Sequence, residues 1–220
     1  GVGAKVGALW RASRELSIGA TAATKISLPA RNGYANVNMI AAGLGIVRYN
    51  DAQLNGFALP PEVAVGAAWQ ATARLLLSGE VTWLGWSHAL RSTTLMLSQP
   101  VNPAAPQALS QTAAVDAHDQ WVLALGAAYT SSPTLTFYGG VNYARAPVPP
   151  QNLTPLLAPI GELHFTTGFK NAFSPGWSIS GALEYLAPNS VSYNNPASPL
   201  GPSTERLSYV ALYVMVSRRW

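Results

Sequence analysis

Apolar and polar residues alternate along the chain in segments of roughly ten residues, a period of two that is typical of β-strands. Of the 17 prolines, 16 lie between these segments and Pro61 is the first residue of one, as expected, because proline cannot donate a backbone hydrogen bond to a neighbouring strand. The pattern predicts nine strands, near residues 2–11, 15–28, 61–71, 74–88, 120–130, 134–145, 161–171, 177–187 and 206–219.

The connections between the predicted strands alternate between short and long. Short turns fall at residues 11–15, 71–74, 130–134 and 172–176, and long loops at about 29–60, 89–119, 146–160 and 188–205. This order is typical of outer-membrane β-barrels, which have tight periplasmic turns and long outer loops. Aromatic residues beside the short turns, such as Trp10, Trp69 and Trp177, indicate an aromatic girdle at the periplasmic interface.

The charged residues of the predicted strands fall on one face. When the apolar positions of each strand are assigned to one side, the charged residues named below have the opposite parity, whereas Arg218 near the end of the last strand does not. A charged residue that faces lipid near the midplane costs about 2–4 kcal/mol, so this parity indicates the barrel interior. The interior set comprises Lys5, Lys25, Glu62, Glu80, His88, Asn142, Glu162, His164, Lys170 and Glu184.

The composition agrees with a membrane barrel and excludes several other classes. Only 10% of the residues are charged while 49% are hydrophobic, which leaves too few charges for an ordinary soluble surface. No stretch reaches the ~18 apolar residues of a membrane-spanning helix. The 13 basic residues form no run, so nucleic acid is not an expected partner. Cysteine is absent, which excludes disulfides and thiolate chemistry.

Several segments resemble the FadL/TodX family of outer-membrane hydrocarbon transporters. They are residues 3–10 (GAKVGALW), 16–20 (LSIGA), 59–69 (LPPEVAVGAAW), 77–83 (LSGEVTW) and 135–143 (LTFYGGVNY), with PVP at 147–149 and TP at 154–155. The resemblance implies a fourteen-stranded barrel, plugged by an N-terminal hatch, that passively admits long-chain fatty acids or aromatic hydrocarbons. The family usually has an acidic residue and an arginine shortly after the Thr-Pro, where this chain has LLAPI at 156–160.

The domain prediction combines the strand count with the resemblance. Nine strands cannot close a bacterial barrel, which has an even number, and an open edge in lipid leaves backbone groups unpaired. Residues 1–220 are therefore predicted to form one all-β transmembrane antiparallel barrel domain, the C-terminal part of a longer barrel whose hatch and first strands are not in this sequence.

Ligand-binding candidates come from the predicted interior. Lys5, Lys25 or Lys170 would attract a fatty-acid carboxylate; alternatively, the interior charges form structural ion pairs. Gly66 and Ala124 represent a wall of small residues that leaves room for an apolar ligand, and His164 is a further polar candidate.

A second group of candidates lies in the long loop at 29–60, which contains Val37, Met39, Ile40 and Leu44. An exposed apolar patch indicates a binding or interaction surface. Within the family such loops first capture the ligand, but these residues could equally form a small core of the loop itself.

The function predicted from the sequence is an outer-membrane channel for passive uptake of fatty acids or aromatic hydrocarbons, with membrane lipid around it. No enzyme activity, cofactor or metal site is expected, because no G-x-S-x-G motif occurs and the Asp116, His118 and Asp119 group is small. The alternatives are a structural or adhesive barrel with partner-binding loops, or an ester hydrolase. A monomer is favoured, although the oligomeric state is left open.

Overall fold

A computed structural model describes residues 1–155, 158–196 and 201–219. Its main feature is a nine-stranded antiparallel sheet in which every strand pairs with the next along the wall. The strands are β1 (Lys5–Arg11), β2 (Leu16–Ala23), β7 (Glu62–Gln70), β8 (Leu75–Leu84), β11 (Gln120–Ser132), β12 (Leu135–Ala144), β13 (Leu163–Ser174), β14 (Trp177–Tyr193) and β15 (Ser203–Arg218). All nine predicted strands and their all-β antiparallel arrangement are confirmed.

Short connections join these strands in pairs at one end of the sheet. Side chains complete the turns: the Ser13 hydroxyl accepts the backbone N–H of Leu16 at 3.0 Å, and the Thr72 hydroxyl accepts that of Leu75 at 3.0 Å. At Gly176 the backbone has φ +74°, a conformation that suits glycine. This end corresponds to the periplasmic turns of the sequence analysis.

The two longest outer loops form a second sheet, which the sequence analysis did not predict. Its strands are β4 (Ala30–Met39), β5 (Gly45–Asn55), β9 (Ser92–Pro100) and β10 (Ala108–Ala114), in the order β10–β9–β5–β4. A two-stranded ladder of β3 (Ile26–Ser27) and β6 (Ala58–Leu59) lies at the base of the first loop. Short 3-10 helices span Ile40–Ala42, Trp86–His88 and Pro150–Asn152.

Several predicted boundaries were wrong. β2 ends at Ala23 and β8 at Leu84, so Lys25 and His88 lie in loops beyond their strands, and Glu162 precedes β13. The predicted loop at 188–205 is largely a continuation of β14 and β15, which pair out to Tyr193 and Ser203. Pro188 lies inside β14, where the ladder is interrupted between Leu186 and Asn189, so its missing N–H is tolerated at that irregularity.

Most of the buried residues lie in the outer loops, although Ala64, Leu186 and Tyr193 of the wall strands are buried too. One cluster joins Leu90, Val115, Ala117, Val148, Leu153, Ile160 and Tyr193, and a second joins Val47, Tyr49, Leu97 and Ala105. The wall instead exposes a band of large apolar side chains, among them Leu125, Val210 and Leu212. No helix among the described residues is long and apolar enough to cross a membrane.

Candidate functional site

The strand register places the predicted interior residues on one face of the sheet. Directly opposite residues of neighbouring strands share a face. Ala23 of β2 is the cross-strand partner of both Lys5 and Glu62. Glu80 of β8 is the partner of both Gly66 and Ala124. Asn142 of β12 is the partner of both Ala124 and His164. Thr166 faces Glu184, and Thr136 faces Lys170. The strand residues of this set therefore share one face of the sheet, as their parity predicts.

Small residues form the middle of this interior face. A cavity of about 950 Å³ lies against it, and its lining includes Ala64, Gly66, Ala124, Gly126 and Gly140. A Cβ at Gly126 would come within 2.9 Å of the Ser78 hydroxyl, and one at Gly66 within 3.1 Å of the Gly79 carbonyl. These glycines keep the wall thin, and more than half of the lining residues are glycine or alanine, while Glu80, Tyr138 and Asn142 also line the cavity.

The three candidate lysines have different surroundings. The Lys5 Nζ lies 3.1 Å from the Glu62 carboxylate and forms an ion pair across β2. The Lys25 Nζ donates to the His88 carbonyl at 2.7 Å. Lys170 has no ion pair or hydrogen bond from its ammonium within the described part of the chain. Lys5 therefore forms a structural ion pair, whereas the Lys170 ammonium is left without a partner among the described residues and could bind an anionic ligand.

His164 belongs to a hydrogen-bonded cluster that joins the last three strands. Its Nδ1 lies 2.8 Å from the Glu184 carboxylate, which also accepts the Tyr209 hydroxyl at 2.8 Å and the Tyr213 hydroxyl at 3.0 Å. The sequence analysis included His164 and Glu184 in the interior set but missed both tyrosines. Their signal was present, since Tyr209 and Tyr213 have the parity opposite to the apolar Leu212 and Val214.

A serine, a histidine and an aspartate meet where β8 and β11 reach the outer loops. The Ser87 hydroxyl lies 3.0 Å from His88 Nδ1, and the Asp119 carboxylate accepts the Ser87 backbone N–H at 2.9 Å. Hydrogen bonds to the Asp119 carboxylate from the Ser87 hydroxyl and from the Ser87 backbone N–H hold the pKa of that carboxyl below its usual value. In a catalytic triad the carboxylate orients the histidine; here it holds the serine amide, so the group fixes the 3-10 helix instead.

The outer-loop candidates are divided between a core and the surface. Val37, Met39 and Leu44 pack against the cluster around Tyr49, while Ile40 is exposed. Their part in ligand capture stays a prediction. Leu156 and Leu157 of the LLAPI segment lie outside the described residues. Over the described residues no group of three or more His, Asp or Glu side chains is arranged to hold a metal ion.

An antiparallel wall with an apolar outer face and the charged residues of its strands on the inner face is typical of membrane β-barrels. The chain belongs to the family described as outer membrane protein transport protein (OMPP1/FadL/TodX), whose model matches residues 1–215. The resemblance seen in the sequence is thereby confirmed. No curated protein sequence matches the chain.

Solved structures of this family have the same fold. The Pseudomonas putida toluene transporter TodX superposes with a TM-score of 0.74 at 17% identity, covering 99% of this chain and 49% of that one. The Ralstonia pickettii toluene transporter TbuX gives 0.69 at 18% identity, covering 98% and 47%. A Pseudomonas aeruginosa FadL homologue gives 0.68 at 18% identity, covering 96% and 50%. The chain spans about half the length of each of these structures.

Proposed function

We propose that the protein is an outer-membrane channel for passive uptake of hydrophobic small molecules, namely aromatic hydrocarbons or long-chain fatty acids. The observation that carries this proposal is the inner wall of glycine and alanine beside the cavity of about 950 Å³. A water-filled porin has a polar interior. A small, weakly polar wall instead leaves space in which an apolar ligand loses contact with water, at a gain of about 25 cal/mol per Å² buried.

The names of the similar structures support the ligand class. TodX and TbuX are toluene transporters, and a third structure is a FadL homologue. At 17–18% identity these likenesses establish the fold, so the ligand of this protein is inferred from its own inner wall together with its family.

The proposal includes a closed barrel. In the described residues β1 pairs only with β2, and β15 only with β14, so the sheet has two edges. Unpaired backbone groups cost several kcal/mol each in lipid. Further strands must therefore pair with β1 and β15, which fits a chain that spans about half of its structural relatives. The fourteen strands and the hatch are what the family implies for the whole barrel.

Lys170 is the proposed contact for a fatty-acid carboxylate. Its ammonium is on the interior face opposite Thr136 and Ser180, and no described carboxylate lies within ion-pair distance. His164 and Lys5 hold carboxylates of the protein already. A neutral hydrocarbon would need no such contact, because burial of its apolar surface supplies its affinity.

Uptake measurements with the full-length protein test this proposal. Cells that make the protein should accumulate radiolabelled toluene and oleate faster than cells that lack it, with no dependence on an energy source. If neither probe enters faster although the protein is folded in the outer membrane, the structural or adhesive alternative replaces the channel. Turnover of an ester substrate by the purified protein would support the hydrolase.

A further inference from the structure

The inner cavity reaches the last strands of the wall at one of its sides. Tyr138 and Asn142 of β12 and Thr166 of β13 belong to its lining. Thr166 is the cross-strand partner of Glu184 on β14, and Asn142 is the partner of His164. At this side the cavity therefore adjoins the hydrogen-bonded cluster around the Glu184 carboxylate, and a ligand there would meet polar groups as well as small residues.

Two tyrosines flank a floor of small residues on this part of the inner face. Tyr138 is paired with Gly168 of β13. Ala182 of β14 is paired with Gly168 on one side and with Tyr213 of β15 on the other. Three strand spacings separate the two tyrosine backbones by about 14 Å, and both tyrosines are exposed. We call this floor and its two tyrosines the tyrosine slot, and its width suits a ligand with a single aromatic ring.

The Glu184 carboxylate stands at one edge of the tyrosine slot and has an acceptor position left. Glu184 follows Ala182 by two residues on the same face of β14. Its Oε1 atom accepts the Tyr209 hydroxyl at 2.8 Å and lies 2.8 Å from His164 Nδ1. Its Oε2 atom accepts only the Tyr213 hydroxyl among the described residues, at 3.0 Å, although a carboxylate oxygen has two lone pairs. The remaining lone pair can accept a hydrogen bond from a ligand.

The two edges of the tyrosine slot differ in the hydrogen bonds that they can make. The hydroxyl proton of Tyr213 is used on Glu184, so the Tyr213 oxygen can only accept a further hydrogen bond. Lys170 lies at the opposite edge, two residues beyond Gly168 on the same face of β13. The slot therefore has acceptors at one edge and a cation at the other, and a ligand hydroxyl that donates its proton is directed to the Glu184 edge.

We propose that the tyrosine slot binds a hydroxylated monoaromatic compound, a phenol, with its ring over Gly168 and Ala182 and its hydroxyl donating to Glu184 Oε2. Hydrogen bonds to an ionised acceptor are shorter and stronger than those between neutral groups. The ring gains edge or face contacts with Tyr138 and Tyr213. This site rests on the proposed passage for hydrophobic molecules and narrows its substrate class, because it holds phenols more tightly than hydrocarbons that have no proton to donate.

Matched probes on the purified full-length protein test the proposal. The probes para-fluorophenol, fluorobenzene and para-fluoroanisole share a fluorinated ring, and only the phenol has a proton to donate. Fluorine NMR titration gives the affinity of each probe after subtraction of its binding to empty detergent micelles. The phenol should bind about tenfold more tightly than either of the other two, the size expected for a charge-assisted hydrogen bond. Burial of apolar surface alone predicts the opposite order, since the phenol is the least apolar of the three.

Two variants locate the phenol site. Glu184→Gln should weaken binding of the phenol about tenfold and leave that of fluorobenzene unchanged, because a neutral amide oxygen is the weaker acceptor. Ala182→Leu should weaken all three probes at least about fivefold, because its side chain occupies the floor of the slot. Glu205→Gln is the matched control, since Glu205 of β15 also accepts a tyrosine hydroxyl, from Tyr193 at 3.2 Å, but does not line the cavity. It should bind every probe like the wild type.

The phenol site and the passage fail in distinguishable ways. If fluorobenzene binds and the phenol binds no more tightly than the anisole, the phenol site is overturned and the passage stands. Unchanged binding of the phenol to folded Glu184→Gln, or a loss in Lys170→Gln in place of Glu184→Gln, overturns the phenol site as well. If no probe binds to the wild type, the passage is overturned together with the site. Heat-modifiable gel mobility establishes that each variant is folded.

Discussion

Among single residues, the interior lysines differ in whether their charge is already neutralised. Lys5 forms an ion pair with Glu62, whereas Lys170 has no such partner in the described ranges. We expect Lys170→Gln to lower oleate uptake about two- to fivefold, because a partly exposed charge contact contributes about 0.5–1 kcal/mol. Lys5→Gln should change it less, and neither variant should change toluene uptake. Equal losses for the two lysines would contradict this assignment.

Asp119 gives a prediction about pH. Hydrogen bonds from Ser87 lower the pKa of its carboxyl below the usual 3.8. A group whose pKa is lowered by folding stabilises the fold above the unfolded value and loses that effect as the pH falls through the folded value. The protection of the Ser87 amide against hydrogen exchange, corrected for the intrinsic exchange rate at each pH, should therefore decrease as the pH falls below 3.8. Hydrogen exchange followed by mass spectrometry measures this, and Asp119→Asn should remove the pH dependence.

The face of the sheet on which a charged residue lies could be predicted wherever that residue is in a wall strand. The interior parity of Lys5, Glu80 and Lys170 follows from a period of two and needs no knowledge of tertiary structure. The partner of each charge could not be predicted, since Lys5 and Glu62 are far apart in sequence and meet only through the register of three strands. The contact between Ser87 and Asp119 could not be predicted either, because both residues lie outside the wall strands, where apolar and polar residues do not alternate.

The β-strands give a test of the facing assignment. Cysteines at Val65, Leu77, Leu123 and Ile179 should react with a reactive group attached to a membrane phospholipid, which is too large to enter the passage, whereas cysteines at Ala64, Ser78 and Ala124 should not. The reason is that a one-residue change of register would transfer every side chain to the other face. Labelling of folded protein in vesicles measures it, and the reversed pattern would show that the register is wrong.

The last three wall strands are joined by Glu184. Its carboxylate receives hydrogen bonds from Tyr209 and Tyr213 on β15 and lies 2.8 Å from His164 on β13. Glu184→Ala should lower the temperature at which the folded band is lost on a gel, because three polar groups would lose their shared partner. Glu80→Ala is the control, because among the described residues Glu80 accepts a side-chain hydrogen bond only from Thr82 of its own strand. An equal shift for both variants would contradict the joining role.

The strands could be predicted where their apolar and polar residues alternate regularly. The nine wall strands carry alternation that the bilayer enforces on one face, and their prediction was confirmed. The strands β4, β5, β9 and β10 were missed because the outer loops face no bilayer, and their apolar residues serve a local cluster around Tyr49. The extension of β14 to Tyr193 was missed because Pro188 resembles a strand end, whereas the ladder accommodates it at an irregularity.

For the molecule as a whole, the wall combines two surfaces with opposite requirements. The outer face needs large apolar side chains against lipid, and the inner face needs small ones to leave a passage. Arg218 fits this division, since its guanidinium lies 5.2 Å from the centre of the Trp177 ring at the turn end of β15, where a long basic side chain can reach the interface. The family and the fold followed from the sequence, while the ligand remains a proposal that rests on the inner wall.

The central claim is that hydrophobic ligands pass along the inner face beside Ala124. Ala124→Asp places a second carboxylate beside that of Glu80, which already lines the cavity, and two charges facing an apolar ligand are costlier than one. Ala124→Asn, of nearly equal size and without charge, is the matched control. In cells with equal amounts of folded full-length protein, Ala124→Asp should reduce uptake of both toluene and oleate at least about tenfold, and Ala124→Asn distinctly less. Normal uptake of both ligands through a folded Ala124→Asp protein would contradict the passage described.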